Sequence, residues 1–328
     1  MKRIIIGTRA SKLAMIQTQW VVEQLHQREP ELEVIIKRIQ TTGDTKSDVP
    51  LSQMGGDGIF VLEIEHALLQ RNIDLAVHSL KDLPTTQPEG LSVCVIGTRE
   101  DARDVLIMNS QSDLGSWFEL TGSRFMRIGT CSLRRSAQIR ALLPGAVILP
   151  LRGNVDTRLS KLDAGDYDGI VLAAAGLHRM GKHEQLSHRI HYLPLELMLP
   201  APGQGALAIE CRNDSEIQKL IAHLKNNVTQ LTTSAERMFL RRFGVGCLLP
   251  VAAFGEIVGD ELILKGLVIS LDGKREVRVQ ASMPWTSETH VECAEQLGLQ
   301  LAEQALSEGA AEIIKTLDEK QFQGRQNA

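Results

Sequence analysis

Short β-branched runs alternate with amphipathic stretches along the first half of the chain. Ile4–Ile6 predicts a strand, and apolar residues recur at helical spacing from Lys12 to about Arg28. Val34–Ile39 and Leu75–His78 have strand patterns, and a helix is predicted between them over Phe60–Gln70. This alternation predicts a mostly parallel sheet with helices on both faces.

A second cycle of the same kind occupies the middle of the chain. Its predicted strands are Val105–Met108, Arg127–Ile128, Val147–Leu149 and Ile170–Ala173, and its predicted helices are Ser132–Leu143 and Thr157–Ala164. The segment Ile6–Ser11 resembles Ile128–Ser132, since each has a strand end, Gly-Thr and a serine that opens a helix. We therefore expect two related α/β domains that face each other across a cleft. The chain is expected to cross from one domain to the other at Ile96–Arg99 and Leu193–Pro202, which we call the first and second crossings. It is expected to return to the first domain through Ala206–Cys211.

The last third of the chain has a different pattern. A helix is predicted over Thr232–Phe243, and a closing helix runs from about Thr289 to Glu308. Between them lie three predicted strands, Val251–Ile257, Leu262–Ser270 and Arg275–Ala281. Tight turns around Gly259 and Gly273 join these strands, which is typical of an antiparallel meander.

The predicted fold class is therefore α/β, with two α/β domains flanking a cleft and a small C-terminal α+β domain that contains a three-stranded antiparallel sheet. We assign residues 1–98 with 199–216 to the first domain, 99–198 to the second and 217–328 to the third. Residues 42–58 are rich in glycine and polar side chains and have little periodicity. They predict a long mobile lid loop in the first domain.

Composition narrows the class of protein. Of the 328 residues, 43% are apolar and 23% charged, as in soluble globular proteins. Aromatic residues make up only 4%, and the net charge is −4, so neither a base-stacking surface nor a basic field for nucleic acid or membranes is indicated. No apolar run approaches the roughly 20 residues that span a bilayer. The apolar N-terminal run is too short for a signal peptide.

The cysteines point to the same conclusion about location. There are five of them, an odd number, at wide spacing and without a CxxC pair. This pattern is unlike a disulfide framework or a zinc knuckle, so we expect a cytoplasmic protein. The sequence contains no HExxH motif and no clustered set of metal ligands, so no metal site is predicted.

Positive charge is concentrated in one segment. Between Arg124 and Arg158 there are seven arginines, no lysine and one acidic residue, Asp156, which gives a formal charge of +6. Arg134 and Arg135 fall in the first turn of a predicted helix, where cations oppose the helix dipole. An anionic ligand at that helix start would resolve the conflict, because guanidinium groups and free N–H groups both bind carboxylate or phosphate. A solvated basic face is the alternative interpretation.

Other candidate residues lie at predicted helix starts and strand ends. Ser11 and Ser132 are predicted to cap helices, and Arg9 beside Ser11 repeats the anion-site pattern. Lys81 and Asp82 follow the strand ending at His78, and ligands of open α/β sheets bind beyond such strand ends. In extended backbone these two neighbours would point to opposite faces. A charged loop is the alternative, and His78 is expected to be a packed rather than a catalytic histidine.

Two glycine-rich segments have weaker signals. Cys247 lies among Gly244, Val245 and Gly246, where small neighbours leave its sulfur approachable, although a lone loop cysteine is usually inert. Pro202–Ala206 superficially suggests a phosphate loop, but it lacks both nucleotide-binding glycine patterns, so nucleotide binding is only weakly supported.

Taken in order, several motifs of the chain resemble the hydroxymethylbilane synthase family, also called porphobilinogen deaminases. They are Gly7–Ser11, Ala76–Pro84, Gly129–Arg135, Leu151–Arg158, Ala174–Leu177, Ala201–Gly205 and Gly246-Cys247. Their order and spacing extend over essentially the whole chain, which makes the resemblance specific.

The resemblance implies three domains, of which the first two are similar to periplasmic binding proteins. It implies a dipyrromethane cofactor attached by a thioether to Cys247. The implied enzyme is a transferase of tetrapyrrole (haem) biosynthesis that adds four porphobilinogen units to this primer and releases a linear tetrapyrrole and ammonia. The family also favours a monomer that requires neither nucleic acid nor a membrane.

The resemblance further implies roles for individual residues. Asp82 matches the catalytic aspartate, whose carboxylate would stabilise cationic states of the pyrrole rings. The residues expected to bind cofactor carboxylates are Lys81, Ser132, Arg134, Arg135 and Arg158. Those expected to bind the incoming substrate or growing chain are Arg9, Ser11, Arg152 and Arg179.

Three positions depart from the usual family pattern. Lys12 replaces a common proline, Asp57 a common lysine of the glycine-rich loop, and His178 a frequent lysine. Asp57 puts a basic role for the lid in doubt, and His178 suggests pH-sensitive anion binding beside Arg179. A rival from another class is a non-catalytic hinged clamp for a small anion, which would have no need of Asp82 or Cys247.

Overall fold

The structure, a computed structural model, describes residues 3–42, 61–109, 126–244 and 249–316. The strands are Arg3–Arg9 (β1), Glu33–Ile39 (β2), Leu75–Ser79 (β3), Leu91–Ile96 (β4), Asp104–Met108 (β5), Arg127–Gly129 (β6), Val147–Leu149 (β7), Gly169–Ala173 (β8), Ile190–Tyr192 (β9), Leu207–Arg212 (β10), Val251–Val258 (β11), Glu261–Ile269 (β12) and Glu276–Pro284 (β13). The α-helices are Lys12–Arg28 (α1), Leu62–Leu69 (α2), Leu133–Leu142 (α3), Val155–Asp163 (α4), Ala174–Arg179 (α5), Lys182–Gln185 (α6), Ser215–Ile221 (α7), Asn227–Arg242 (α8) and Val291–Ala305 (α9).

The first two sheets have the same arrangement of five strands. The first has the order β2-β1-β3-β10-β4, and the second has the order β7-β6-β8-β5-β9. In each sheet the first three strands are mutually parallel, and the fourth is antiparallel to both of its neighbours. This confirms the two related α/β domains. Four of the five strands in each sheet run in the same direction, as a mostly parallel sheet requires, but the reversed fourth strand makes half of the neighbouring pairs antiparallel.

The antiparallel fourth strand has a topological cause. In each sheet it is the first strand after the chain has crossed from the other domain: β5 follows the first crossing and β10 the second. The strand that directly follows a crossing is thus the one that runs against both of its neighbours in each sheet. The return through Ala206–Cys211 is thus confirmed as β10, which lies between β3 and β4.

The third sheet is the antiparallel meander β11-β12-β13, as expected. Helices α8 and α9 pack against it around Phe239, Leu264 and Leu301, each of which is at most 1% exposed. The helix predicted from Thr232 begins earlier, after Asn226, whose side chain accepts a hydrogen bond from the Thr229 amide at 2.9 Å. A cap of this kind satisfies a free amide of the first turn and extends the helix.

Three contacts join the third domain to the segments that cross between the first two. Glu236 of α8 is fully buried and accepts two hydrogen bonds from Arg99, at 2.6 and 3.0 Å. It also accepts from the backbone amides of Gly203 and Gly255, each at 2.7 Å. Arg99 belongs to the first crossing. In the structure the second crossing is the connection from β9 to β10, residues 193–206, and it includes Gly203. One carboxylate therefore joins both crossings to β11.

None of the described helices is long and apolar enough to span a bilayer. The predicted domain boundaries remain predictions. The one after residue 216 falls inside α7, whose Ile217 and Ile221 pack in the core of the first sheet. The predicted lid loop lies almost wholly outside the described residues.

Candidate active site

A cavity that is partly open to solvent lies where β1 and β3 of the first sheet end. Its lining includes three residues selected from the sequence, Arg9, Ser11 and Asp82. Ser11 also caps α1, where its Oγ accepts from the Ala14 amide at 3.3 Å. The cavity lies at the edge of the sheet that the strand-end rule for ligands of α/β sheets indicates, and ligand binding there stays a prediction.

Lys81 and Asp82 lie on a short 3-10 helix, Leu80–Asp82, that directly follows β3. The expectation of an extended backbone with the two side chains on opposite faces was therefore wrong. The turn forms because the Leu83 amide donates to the Leu80 carbonyl at 3.1 Å before Pro84 ends the segment. It places the ammonium and the carboxylate close enough to interact electrostatically.

The arginine pair of the second domain has an internal partner. Arg134 and Arg135 are only 5% and 7% exposed, and both bind the fully buried carboxylate of Asp104 at the start of β5. The shortest distances are 2.6 Å from Arg134 Nη1 and 2.7 Å from Arg135 Nη2. Burial alone would raise the pKa of Asp104, but the two guanidinium groups outweigh it and hold this pKa well below its usual range. A solvated basic face is excluded for these two arginines.

Among the described residues, two carboxylates, those of Asp104 and Asp82, interact with the four cations Lys81, Arg134, Arg135 and Arg158. Burial, followed by the charge of Arg135, lowers the pKa of Lys81 to about 8. Burial, again followed by Arg135, lowers the pKa of Arg158 to about 10, with Asp82 acting in the opposite direction. Cations of the first and second domains thus face each other. Their mutual repulsion and desolvation would be offset by a bound polyanion.

Ser132 and Arg158 are held at helix starts on the second domain. The Ser132 Oγ caps α3 by accepting from the Arg135 amide at 3.4 Å, as the sequence predicted. Arg158 Nε donates to the Gly153 carbonyl at 2.7 Å, which orients its guanidinium at the start of α4. Arg152 lies close enough to lower the pKa of Arg158, after the larger effects of burial and Arg135.

Arg179 occupies a different place, beside the crossings. Its Nη2 donates to the Gly205 carbonyl at 2.6 Å, and burial lowers its pKa to about 10 while Glu100 opposes the shift. The neighbouring His178 contacts Glu100 at 3.0 Å and the Tyr192 hydroxyl at 2.8 Å. His178, the departure noted from the sequence, therefore packs against the first crossing.

His78 is a further lining residue of the cavity and has a buried acidic neighbour. It is 6% exposed, and its Nε2 lies 3.1 Å from the buried carboxylate of Glu210 on β10. The expectation of a packed histidine agrees with this burial. Cys247, Asp57 and Arg124 lie outside the described residues.

Sequence reasoning missed three polar residues that organise the site. Asp104 lies far from Arg134 in the chain, and only strand pairing brings the two together. Gln17 of α1 donates to the Ser79 hydroxyl at 3.0 Å beside the cavity, and Gln204 binds Lys81. The one available signal was an acidic residue directly before the apolar strand Val105–Met108, which is costly to bury without a cation.

Among the described residues, no group of histidine, cysteine, aspartate and glutamate could hold a metal ion. The cationic groups are instead suited to a ligand with several carboxylates, since guanidinium and ammonium groups donate to such oxygens.

Comparison with known protein families gives two matches in chain order. Residues 4–219 match the model of the porphobilinogen deaminase dipyrromethane cofactor binding domain, and residues 230–307 match that of the porphobilinogen deaminase C-terminal domain.

Similar proteins extend over nearly the full chain. Porphobilinogen deaminase from Geobacter metallireducens is 47% identical, covering 95% of this chain and 94% of the relative. The proteins of the same name from Geotalea uraniireducens and Macrococcus caseolyticus are each 45% identical, covering 96% and 97% of this chain and 94% and 99% of the relatives.

Solved structures were also matched. The BenM effector binding domain with benzoate has a TM-score of 0.42 at 15% identity, covering 68% of this chain and 90% of that one. An ancestral cationic amino acid solute binding protein has a TM-score of 0.41 at 14% identity, covering 68% and 88%. The two family matches together include both α/β domains and the third domain, and they agree with relatives of a single name, so this chain belongs to the porphobilinogen deaminase family, whose members are transferases of tetrapyrrole biosynthesis.

Proposed function

We propose that this chain deaminates four porphobilinogen molecules and condenses them head to tail on a covalently bound dipyrromethane primer, releasing hydroxymethylbilane and ammonia. The observation that supports this best is that a cavity containing a carboxylate lies next to a group of cations, at one edge of the first sheet. The cavity lined by Arg9, Ser11 and Asp82 adjoins a cation-rich surface that includes Lys81 and Arg158.

The donor set fits the cofactor. Each pyrrole ring of this pathway has an acetate and a propionate, so a dipyrromethane presents four carboxylates. Lys81, Ser132, Arg134, Arg135 and Arg158 would bind them. Asp104 neutralises only part of the charge of Arg134 and Arg135, and burial has already made Lys81 and Arg158 costly to keep charged. When bound, the cofactor supplies the nucleophilic pyrrole carbon on which the chain grows.

Substrate carboxylates would be bound by Arg9, Ser11, Arg152 and Arg179. Arg9 and Ser11 line the same cavity as Asp82, so a porphobilinogen held there would have its ring beside that carboxylate. Arg179 lies at the crossings, where it would bind a more distant part of the lengthening chain.

Asp82 would have two roles, the stabilisation of positive charge on the substrate ring and the transfer of a pyrrole proton. Loss of ammonia leaves positive charge on the substrate ring, and a fixed carboxylate nearby lowers the free energy of the transition state. The same carboxylate can accept and return a pyrrole proton. Asp82 lies on the 3-10 helix that directly follows β3.

We predict that Asp82→Asn retains the cofactor but loses most turnover. The expected loss is about 3–4 kcal/mol of transition-state stabilisation, by analogy with the removal of one preorganised polar group. Steady-state kcat and the intact mass of the same preparation test this. Near-normal turnover would refute the role of Asp82.

Cys247 is proposed as the attachment point of the cofactor through a thioether. Cys247→Ser should therefore give protein of the bare polypeptide mass that is negative in an acidic Ehrlich-type pyrrole test after denaturation and dialysis. Freshly purified, active wild-type protein at its bare polypeptide mass would contradict the attachment.

We also propose that the protein is a monomer of the cytoplasm with no nucleic-acid or membrane partner. The four cysteines of the described chain, Cys94, Cys131, Cys211 and Cys293, are free thiols, which a reducing compartment maintains. Light scattering on purified protein tests the monomer, and a dimer mass would overturn it.

A further inference from the structure

The Gly203-Gln204-Gly205 turn lies in the second crossing, between the two α/β domains. Both glycines have positive φ, +77° and +90°, a conformation that side chains disfavour. A Cβ at Gly203 would lie 3.0 Å from Leu80, and one at Gly205 only 2.3 Å from the Glu100 carbonyl. The glycines therefore allow the turn to approach both the Lys81 segment and the first crossing.

Gln204 itself is fully buried, and its amide joins the two domains. Its Oε1 accepts a hydrogen bond from Lys81 Nζ at 3.1 Å. Its Nε2 donates to the Ala102 carbonyl at 2.7 Å and to Asp104 Oδ1 at 3.0 Å. The amide orientation is thus fixed, since the oxygen faces a donor and the nitrogen faces two acceptors.

Asp104 extends this connection to the second domain, because the same Oδ1 also accepts from Arg135 and Oδ2 accepts from Arg134. The neutral amide of Gln204 therefore connects Lys81 of the first domain to Asp104 of the second. Asp104 in turn aligns the two cations Arg134 and Arg135. The Gln204 backbone carbonyl adds a link to the first crossing, by accepting from Arg99 Nε at 2.9 Å.

We propose that Gln204 is a positioning residue that sets Lys81 in register with Arg134 and Arg135, so that the two domains present their cations to one polycarboxylate pyrrole ligand. This inference rests on the proposed cofactor-binding role of Lys81. Gln204 acts through Lys81 and Asp104 and need not touch the ligand.

The first test compares two substitutions at this position. Gln204→Met keeps the length of the side chain but removes its hydrogen bonds. We expect about tenfold lower kcat and incomplete cofactor loading by intact mass, because bonds to charged groups are lost.

Gln204→Glu should behave differently with pH. An ionised carboxyl would repel Asp104, whereas a protonated carboxyl can donate to Asp104 and accept from Lys81, as the amide does. We expect low cofactor loading at about pH 8 that recovers towards the wild-type level near pH 6, while the deficit of Gln204→Met is the same at both values. Gln218→Glu, on the exposed face of α7, is the matched control and should not differ from the wild type.

A double-mutant cycle with Lys81→Met separates positioning from general stability. If Gln204 acts through Lys81, Gln204→Met should cause little further loss of cofactor loading in the Lys81→Met background. Additive losses would overturn the inference, as would a normal Gln204→Met or a Gln204→Glu deficit that does not change with pH. If Gln204→Met does not fold, the cycle uses Gln204→Glu at about pH 8, where its cofactor loading is expected to be low.

The controls also distinguish this inference from the proposed function. Full loading of Lys81→Met would overturn both the binding role of Lys81 and the inference. Impaired loading of Lys81→Met together with normal Gln204 variants would overturn the inference alone.

Discussion

Lys81 shows how burial adjusts a single binding group. Burial and then Arg135 lower its pKa from the ordinary value of 10.5 to about 8. The folded protein therefore holds the ammonium form at a cost that the unfolded chain does not have. This cost is fully present below about pH 8 and disappears as the pH rises towards the ordinary value. A ligand carboxylate that stabilises the ammonium form offsets the cost where the amine is charged.

We predict from this that anion binding at Lys81 weakens as the pH rises through about 8. Cofactor loading of cofactor-free protein incubated with porphobilinogen, followed by intact mass across this range, measures the effect. Lys81→Arg is the control, since its guanidinium stays charged and its loading should fall less. Identical pH profiles for the two proteins would contradict a role for Lys81 ionisation.

The residues that the sequence identified and those that it missed differ in how far along the chain their hydrogen-bond partners lie. Ser11 and Ser132 cap helices within three residues of themselves, so local pattern was enough to identify them. Arg134 and Asp104 meet only because β5 lies in the second sheet beside β8, which no local pattern reports. The family resemblance implied the roles of Arg134 and Arg135. Asp104 could be identified as their partner only from the three-dimensional fold.

At the scale of elements, α1 and β7 were predicted with the bounds that the structure has. Both have regular apolar spacing and clear ends. β4 was not predicted, although Leu91, Val93 and Val95 alternate with Ser92 and Cys94. Among the described strands it pairs only with β10, which is distant in the chain. The reversed direction of β5 and β10 was not predicted either, because it depends on pairing with strands that are distant in the chain.

The turn between β12 and β13 illustrates an element that also serves as a contact between domains. Gly273 has a φ of +73°, and a Cβ there would lie 2.7 Å from the Ala137 carbonyl and from the Ala141 nitrogen of α3. Arg140 of the same helix donates to the Leu271 carbonyl at 2.8 Å. The third domain therefore contacts the second through backbone that leaves no room for a side chain.

We predict that Gly273→Ala lowers the free energy of unfolding by about 2–4 kcal/mol, through backbone strain and overpacking together. Gly259→Ala, in the turn between β11 and β12, is the matched control. It has a similar φ of +58° but no atom within 4 Å of the added Cβ, so we expect a loss of only about 1 kcal/mol from strain. Urea unfolding of both variants tests this, and equal losses would show that the contact with α3 adds nothing.

At the scale of the whole molecule, Glu236 joins the two crossings and the third domain. It is fully buried, and its partner Arg99 is nearly so, with the guanidinium also 5.0 Å from the Phe254 ring centre. Removing one member of a buried pair leaves the other charge without compensation, which costs more than the pair itself contributes.

Glu236→Gln is accordingly expected to lower the free energy of unfolding by about 3–5 kcal/mol. Glu303→Gln is the control, because Glu303 pairs with Arg242 on the surface and such pairs contribute at most about 1 kcal/mol. Calorimetry of the two variants gives the comparison. A loss for Glu236→Gln no larger than that of the control would mean that the three domains are held together by other contacts.

The position of β10 has a consequence for the order in which a nascent chain can fold. All five strands of the second sheet lie between residues 104 and 192, so that domain has its full set of strands before the ribosome reaches β10. The N-terminal domain is synthesised earlier but cannot complete its sheet until residues 207–212 emerge from the ribosome. Until then β4 lacks the neighbour β10, and one edge of β3 is unpaired. In a protein truncated at residue 198, we therefore expect the second α/β domain to be folded and the first α/β domain to be unfolded.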